Sequence, residues 1–319
     1  MKRRAKLIGL CVVFVSLAII SIVLISRAIT SGIWLNDYKY VFNLEKKTVK
    51  IVDYRGKDSV VIAPGNYILG FKMEEMFEVY DDESIKKIVI PADTEYYIQV
   101  RYLDSLESVV FEEGTKIINA SFMDCCNLKE VVIPNETETI AATAFARCEK
   151  LENVRLPKGL KRIMLNAFLG TKFEQIHEND KYYVVGDGVL VFYNNISEEI
   201  IIPRGVKSLT ESTYEKWWKS NYKQPKKLYF PETVENLQVS VEEETTAYFG
   251  SEYIDFGDEE EIKQFMVDYI KGTVVAPEGS YMQEFCQKYN LNFRVMTEEE
   301  ETIWREKTEA ATSEITYQD

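Results

Sequence analysis

The sequence has 319 residues, 46% of them hydrophobic, and a formal net charge of −14. Residues 1–30 carry five basic side chains and no acidic one, so the remainder of the chain carries a net charge of −19. This acidity argues against a general nucleic-acid or anionic-lipid binder, because attraction to phosphate needs a positive field. A soluble domain whose surface charges repel other copies of it is enough to explain the acidity.

The chain opens with a basic segment followed by an uncharged apolar run. Residues 1–6 contain four basic side chains, and residues 7–26 contain no charged one. At a rise of about 1.5 Å per residue, such a run spans about 30 Å, the thickness of the hydrocarbon core of a bilayer. We therefore predict a transmembrane signal-anchor helix over residues 7–29. The basic excess before it predicts a cytoplasmic amino terminus and an extracellular remainder, at the cell membrane.

A cleaved signal peptide is the alternative for this segment. Its apolar region is expected to be about 7–15 residues long and to end at a cleavage site with small residues on both sides. The run here is longer, and its one candidate site, residues 26–28, has Arg27 in the middle. The length and the flanking residues favour an anchor that is not removed.

Residues 30–83 are predicted to form a linker and a strand-rich amino-terminal cap. The segments YKYVFNLEKKTVKIVDY and SVVIAPGNYILGF are typical of strands, and residues 55–58, between them, are typical of a turn. Caps of this kind are expected wherever repeats follow, because terminal units must cover an open edge and are usually atypical in sequence.

One unit is repeated three times between Leu106 and Phe173, and two of its apolar positions recur every 23 residues. The repeating residues are Leu106, Leu128 and Leu151; Val109, Val131 and Val154; Ile117, Ile140 and Ile163; and Phe122, Phe145 and Phe168. Each unit has an apolar row that it cannot bury alone, so neighbouring units must stack. Residues 84–250 are therefore predicted to be the coils of a solenoid.

The same frame extends beyond the three clear copies. A proline that ends a strand is followed by an apolar residue six positions later and an aromatic one eleven positions later. Pro91 has Tyr97 and Tyr102 at these places, and Pro203 keeps the frame as well. The frame therefore predicts that Tyr102 takes the place of the repeated phenylalanine.

The remaining segments depart from the regular coil. Residues 181–195 contain two strand-like runs about a Gly-Asp-Gly turn and are predicted to be a hairpin insert. Residues 251–296 alternate helical and strand patterns and are predicted to be a carboxy-terminal cap. Residues 297–319 are acidic with few large apolar side chains, so a frayed helix or tail is expected there.

At the level of the repeat, the sequence resembles the bacterial BspA-type leucine-rich repeat proteins. The matching residues are Leu128, Val131, Ile133, Pro134, Ile140, Ala144, Phe145, Cys148 and Leu151. The hairpin coil and the segment GSYMQEFCQKYNLNF also look like inserts and caps of that family. The resemblance implies a β-rich α/β fold, a right-handed leucine-rich repeat solenoid on the bacterial surface, and it brings adhesion to host proteins or other cells as a function of some members.

Two surfaces are candidates for binding a partner. One is the outward row of the predicted sheet, with one residue from each coil: Val89, Val110, Val132, Arg155, His177, Ile201 and Tyr229. Strand propensity alone also explains exposed β-branched residues. The other is a lengthened coil with a basic, aromatic cluster: Trp217, Trp218, Lys219 and Tyr222. A loop in which one tryptophan fills a gap is the alternative there.

Little in the sequence points to chemistry. His177 is the single histidine and has no nucleophile motif around it, so an ordinary exposed residue on a strand is expected. Cys125 and Cys148 occupy equivalent places on adjacent coils, where buried thiols are favoured over a disulfide. The cysteines lack the spacing of a metal site, and no cofactor is indicated.

Together these patterns predict a non-catalytic, membrane-anchored extracellular repeat protein that binds a protein or a macromolecule of the cell wall or host surface. The bilayer is its other predicted partner, through residues 7–29, and nucleic acid is not one. A structural envelope component that packs on a membrane partner is the alternative, and an enzyme is the third possibility.

Overall fold

The computed structural model describes residues 31–76, 84–194, 197–210, 225–256 and 269–318. These residues form a β-solenoid of about nine turns with little helix, similar to leucine-rich repeat folds. The predicted transmembrane segment, residues 7–29, lies outside the described ranges. Within those ranges no helix has both the length and the apolar composition needed to cross a membrane.

The chain begins with short strands that form a cap and the opening coils. They are β1 (Ile33–Leu35), β2 (Tyr38–Asn43), β3 (Thr48–Tyr54), β4 (Val60–Ile62), β5 (Tyr67–Ile68), β6 (Phe71–Met73) and β7 (Glu75–Met76). The cap is one sheet in the order β1-β2-β3-β6-β5, in which β1 to β3 are antiparallel and β6 runs parallel to β3. Tyr40 and Ile51, on β2 and β3, are buried in the same core as the coils.

The regular coils contribute strands on more than one side of the solenoid. They are β8 (Lys87–Ile90), β9 (Tyr97–Gln99), β10 (Ser108–Phe111), β11 (Ile117–Ile118), β12 (Ala120–Ser121), β13 (Glu130–Val132), β14 (Thr139–Ile140), β15 (Asn153–Val154) and β16 (Arg162–Ile163). We call the parallel sheet β4-β8-β10-β13-β15 the first sheet. Strands β11, β14 and β16 form a parallel ladder of their own, as do β7, β9 and β12.

The apolar repeat explains the register of the first sheet. Val109 pairs with Ile88 on one side and with Val131 on the other, and all three side chains are buried. Successive residues of a strand point to opposite faces, so each buried position has outward-facing neighbours. The regular spacing of the repeat therefore stacks each buried side chain on the equivalent side chain of the next coil. It leaves a second row of side chains that faces outward.

A ladder of aromatic rings fills the core beneath the coils. The ring of Phe145 stacks between those of Phe122 and Phe168, with centroid distances of 6.1 and 5.5 Å. The backbone repeats the contact, since the amide of Phe122 donates to Ala144 and that of Phe145 donates to Ala167. The stacking predicted from the repeated phenylalanines is thus present, residue by residue.

Two details of the predicted frame are wrong. Ile118, and not Ile117, pairs with Ile140 and is buried, because the coil from Val109 to Val131 is one residue shorter than the next. Tyr102 is exposed and has a positive φ of 57°, so the aromatic place of the frame lies outside the ladder there. With coils of constant length, Ile117 would have been the residue that pairs with Ile140, and Tyr102 would have lain in the ladder of rings.

The middle of the chain departs from the regular coil as a short helix and a hairpin. These are α1 (Lys172–Ile176), β17 (Tyr182–Val185) and β18 (Val189–Tyr193). Strands β17 and β18 are antiparallel about Gly186 and Gly188, which both have positive φ. A Cβ atom on Gly188 would lie 2.4 Å from the carbonyl oxygen of Gly205, so this turn needs glycine to approach the next coil.

The second half continues as two faces. Its elements are β19 (Glu199–Ile201), β20 (Ser208–Thr210), β21 (Lys227–Phe230), β22 (Asn236–Gln238), β23 (Thr246–Phe249), β24 (Thr273–Ala276), α2 (Tyr281–Tyr289), β25 (Phe293–Val295), α3 (Glu298–Ala311) and β26 (Ile315–Tyr317). We call the parallel sheet β19-β21-β23-β24-β25 the second sheet. The other face has the order β22-β20-β18-β17-β26.

The segment expected to be a frayed helix or an acidic tail is instead an ordered part of the fold, which we call the strap (residues 298–318). Helix α3 begins with a capping box, in which Thr297 and Glu300 satisfy each other's backbone amides. Arg294 donates hydrogen bonds to Glu300 and lowers the pKa of its carboxyl group to about 2. The expected fraying was wrong because one large buried side chain, Trp304, anchors the helix despite its polar composition.

Candidate partner-binding surface

The outward row of the first sheet is a stripe of apolar side chains that are exposed or half-buried. Ile62 pairs with Val89, Val89 with Val110, and Val110 with Val132, so the four lie side by side across β4, β8, β10 and β13. Ile62 is 61% exposed and Val132 is 43% exposed. Arg155, just after β15, continues the row with an exposed cation. Contiguous apolar exposure of this kind marks interaction sites more often than scattered residues do.

Mixed charges border this row at the start of the strands. The carboxylate of Glu107 lies between two lysines, 3.2 Å from the Nζ atom of Lys129 and 3.7 Å from that of Lys86. The hydrogen bond from Lys129 lowers the pKa of Glu107. Because these ion pairs are exposed, they contribute little to stability. The surface is therefore an apolar stripe bordered by charged side chains of both signs.

His177 does not occupy the outward place on a strand that the sequence predicts. It is the C-cap of α1, which stands where the strand was expected and ends the first sheet at β15. Its ring stacks on Tyr183 at a centroid distance of 3.7 Å, and its Nδ1 atom lies 2.6 Å from Asp180. Since the ring packs against Phe173 as well, His177 belongs to an aromatic cluster and is not part of an exposed row.

The strap covers the part of the second sheet that was predicted to face outward. Tyr229 is buried and stacks on Tyr248, with 4.8 Å between ring centroids. Burial raises the pKa of Tyr229 to about 12. The indole Nε1 atom of Trp304 donates to the carbonyl oxygen of Phe230 at 3.0 Å. Ile201 is half-buried and packs against the same cluster, so neither predicted residue of this sheet is free to meet a partner.

Polar contacts fix the strap along its whole length. Lys307 pairs with Glu199, and its Nζ atom lies 4.6 Å from the ring centroid of Tyr229. Arg204 donates to Glu309 at 2.7 Å. Further on, β26 pairs in parallel with β17. The strap thus runs back from the end of the array to the coil at which the first sheet stops.

The last described residue extends this connection to the first half of the fold. The side chain of Gln318 accepts from the amide of Leu156 at 3.1 Å and donates to its carbonyl oxygen at 2.9 Å. A side chain therefore satisfies both backbone groups just beyond β15, in the way a neighbouring strand would.

The structure thus separates the predicted surface into parts. Val89, Val110 and Val132 lie together with Ile62, and Arg155 is next to them. The other predicted residues, His177, Ile201 and Tyr229, lie elsewhere in the fold. The cluster in the lengthened coil (Trp217, Trp218, Lys219 and Tyr222) lies outside the described residues and stays a prediction. The outward row of the first sheet is the candidate site that the described residues support.

Comparison with known proteins assigns the repeat. Residues 77–194 and 115–243 match the BspA type leucine-rich repeat region in six copies, which together cover more than half of the chain. The chain belongs to the BspA-type leucine-rich repeat family. No curated protein matches it.

Several solved structures have similar repeats at low identity. A leucine-rich cell-surface protein from Faecalibacterium prausnitzii is 14% identical over 87% of this chain and 97% of its own, with a TM-score of 0.27. The pneumococcal vaccine antigen PcpA is 14% identical over 83% and 98%, with a TM-score of 0.34. A leucine-rich repeat protein from Bacteroides ovatus is 14% identical over 83% and 76%, with a TM-score of 0.33.

The strap is the feature of this BspA-type chain that reasoning from the sequence missed. Two signals for it were present: the pattern of Thr297 and Glu300 that is typical of a capping box, and Trp304, Thr308 and Ala311 at helical spacing. Only one large apolar side chain lies on that stripe. The remaining residues of the segment are mostly polar and acidic, a composition that is typical of disorder.

The cysteines of the BspA-type coils are placed as buried thiols. Cys125 and Cys148 are free and fully buried, and the Cys148 thiol donates to the carbonyl oxygen of Phe122 at 3.1 Å. Burial raises the pKa of Cys125 to about 12 and that of Cys148 further still. Over the parts of the chain that the structure describes, no group of three or more His, Cys, Asp or Glu side chains is arranged to hold a metal ion.

We expect Cys125 and Cys148 to resist alkylation in the folded protein at pH 8, because a thiol needs both access and ionisation to react. Cys126, which is only partly buried, should react first. Mass analysis of peptides after alkylation, with and without denaturant and without reductant, measures this. A cross-linked peptide pair lighter by two hydrogen atoms than the two thiol peptides would show a disulfide and contradict the expectation.

Proposed function

We propose that this BspA-type protein is a non-catalytic, membrane-anchored extracellular protein that binds a protein or a cell-wall or host-surface polymer through the outward row of its first sheet. The observation that carries the proposal is the in-register stripe across four neighbouring strands, in which Ile62 and Val132 are exposed and Val89 and Val110 between them are half-buried. Its anchor would be residues 7–29, whose uncharged run has the length of a bilayer span. A right-handed coil, as in the family, is part of the proposal.

The contrast between the two sheets supports this choice of surface. On the second sheet the strap packs on Tyr229, Tyr248 and Val275, so the outward side chains there already have a partner within the chain. The strap is itself a helix that packs on the outward face of such a sheet through one large aromatic side chain, Trp304. A partner of the same kind would fit the first sheet. The first sheet offers an equivalent face without a described covering element.

The stripe is wide enough for a specific but modest contact. Adjacent strands lie about 4.8 Å apart, so four neighbouring side chains extend about 14 Å along the solenoid. Such a length fits two or three turns of a partner helix or a short extended segment. Arg155 at one end adds a cation that favours a carboxylate on the partner.

A photo-crosslinking amino acid at Val132 is expected to capture the partner in intact producing cells or in cells mixed with the host surface. The same amino acid at Ile117, which is 60% exposed on another face of the solenoid, is the matched control. Adducts at Val132 should be several-fold more abundant, since only that side chain lies on the proposed surface. Gel shifts and mass spectrometry of the purified adducts measure the ratio.

The identity of the adduct separates the functions. A host or wall macromolecule supports binding in the adhesin-like sense, whereas one stoichiometric membrane protein of the cell's own envelope supports the structural alternative. Equal adducts at Val132 and Ile117 would contradict the proposed surface. The variant Val132→Glu should abolish adduct formation at a crosslinker placed at Val110. Its control, Ile117→Glu, should leave those adducts unchanged.

A further inference from the structure

Three features of the amino-terminal cap lie at one end of its sheet, which we call the proximal end. The described chain enters there, because Ile33 pairs with Tyr40 and Gly32 lies against Tyr40 and Val41, near the end of β2. The turn between β2 and β3 (residues 44–47) follows directly at that end of β2. Entry and turn are therefore neighbours in space.

The turn between β5 and β6 lies at the same end. Strand β6 runs parallel to β3 and starts beside its start, since Thr48 pairs with Lys72. The amide of Lys72 donates to the carbonyl oxygen of Lys47 at 3.1 Å, which joins the two turns directly. The rings of Phe42 and Phe71, with centroids 5.1 Å apart, pack just behind them.

Large apolar side chains project from the two turns and from the adjoining strand β5, which contains Tyr67. Leu44 is 54% exposed, Tyr67 is 62% exposed and Leu69 is 70% exposed. Leu69 also has a φ of 51° and precedes Gly70 at 83°, so both residues of this two-residue turn are left-handed. Asn, Asp and Gly are the residues that such turns favour, and leucine is disfavoured. Neither the core nor the turn geometry accounts for an exposed leucine at this position.

The position of the proximal end relates it to the predicted anchor. Only residue 30 lies between the end of segment 7–29 and Ser31, so the two Cα-to-Cα steps from 29 to 31 reach at most about 7 Å. The headgroup region on each side of a bilayer is about 5–8 Å thick. With the anchor in place, the proximal end has to lie at the headgroup layer.

We propose that the proximal end of the cap rests on the outer surface of the bilayer, with Leu44 and Leu69 inserted among the headgroups and Tyr67 at the interface. The proposal rests on the membrane anchor in the proposed function. Glu45 accompanies Lys46 and Lys47 in the β2–β3 turn, so the charge there is mixed and apolar insertion is the contact. The outward row of the first sheet would then be held at a fixed orientation to the membrane.

Spin labelling of the full chain in phosphatidylcholine nanodiscs tests this contact. A nitroxide at Leu69→Cys, in a background of Cys11→Ala and Cys126→Ser, reports immersion through its relative accessibility to oxygen and to a soluble nickel complex. The ratio should be about twofold or more above that of a label at Ile117→Cys, because interfacial side chains are buried about 5–10 Å into the headgroup boundary. A label at Leu44→Cys should give the same result.

The outcomes distinguish the contact from the anchor. If the chain co-purifies with the discs but the labels at positions 44 and 69 match that at 117, the contact is overturned and the anchor stands. If the chain does not co-purify with the discs, the anchor and this contact are both overturned. Leu69→Asn, which suits the left-handed turn, should fold normally and provides a further check. In this variant, the label at Leu44→Cys should lose part of its immersion.

Discussion

Replacing Trp304 by alanine should lower the free energy of unfolding of the strap and second sheet by about 3–5 kcal/mol, the usual cost of truncating a buried aromatic side chain. Trp304 is buried among Tyr229, Tyr248 and Val275 and donates a hydrogen bond to the carbonyl oxygen of Phe230. Its removal leaves a cavity and an unsatisfied carbonyl group. Denaturant unfolding followed by tyrosine absorbance measures the loss, since Tyr229 and Tyr248 become exposed.

The control for this change lies one residue earlier in α3. Ile303 is exposed, so Ile303→Ala removes an apolar side chain from the same helix without opening the interface. It should change stability by less than about 0.5 kcal/mol. Gly250→Ala should disturb the same contact from the side of the second sheet, because a Cβ atom at this position would lie 2.1 Å from the ring of Trp304. A strap that is as resistant to proteolysis in Trp304→Ala as in the wild type would contradict the role given to this side chain.

Replacing Phe145 by alanine should also cost about 3–5 kcal/mol, but the loss should spread in both directions along the array. Phe145 is fully buried and is the central ring of the ladder, in contact with Phe122 and Phe168. In a solenoid each coil is stabilised mainly by its neighbours, so one cavity weakens two interfaces. Hydrogen exchange should show loss of protection in the coils on both sides.

Tyr102→Ala is the matched control, because Tyr102 occupies the equivalent place in the sequence frame but is exposed. It should change stability little. Comparable destabilisation by the two substitutions would mean that the ladder of rings is not what holds the coils together. Loss of protection confined to one coil would mean that the interfaces are not coupled through Phe145.

The repeat could be predicted because its physical cause is local and periodic. Val109 and Val131, or Phe122 and Phe145, recur because every coil has the same neighbours, so spacing alone identifies them. The departures follow from events that a period does not contain. A coil one residue shorter moves the buried place from Ile117 to Ile118, and α1 replaces a strand, which removes His177 from the row.

The candidate surface was predicted only where the repeat is regular. Val89, Val110 and Val132 lie in the row as expected, whereas Tyr229 is covered by a segment that follows the array in sequence. Burial by a distant segment leaves no trace in the spacing of the buried residue itself. To predict that contact, the stripe of α3 that packs on the second sheet would have had to be recognised from the sequence. Trp304 is the one large apolar side chain on that stripe.

The hydrogen bonds between Gln318 and Leu156 join residues that are 162 positions apart. A solenoid without such a closure has mostly local contacts and folds by propagation from any coil. The strap gives this chain a long-range contact whose loop-closure entropy must be met before β26 pairs. We therefore expect the second sheet to acquire its full protection late, as a slow kinetic phase that is absent from the first. Tyr229 and Tyr248 would stay uncovered until residues 298–318 have packed on them.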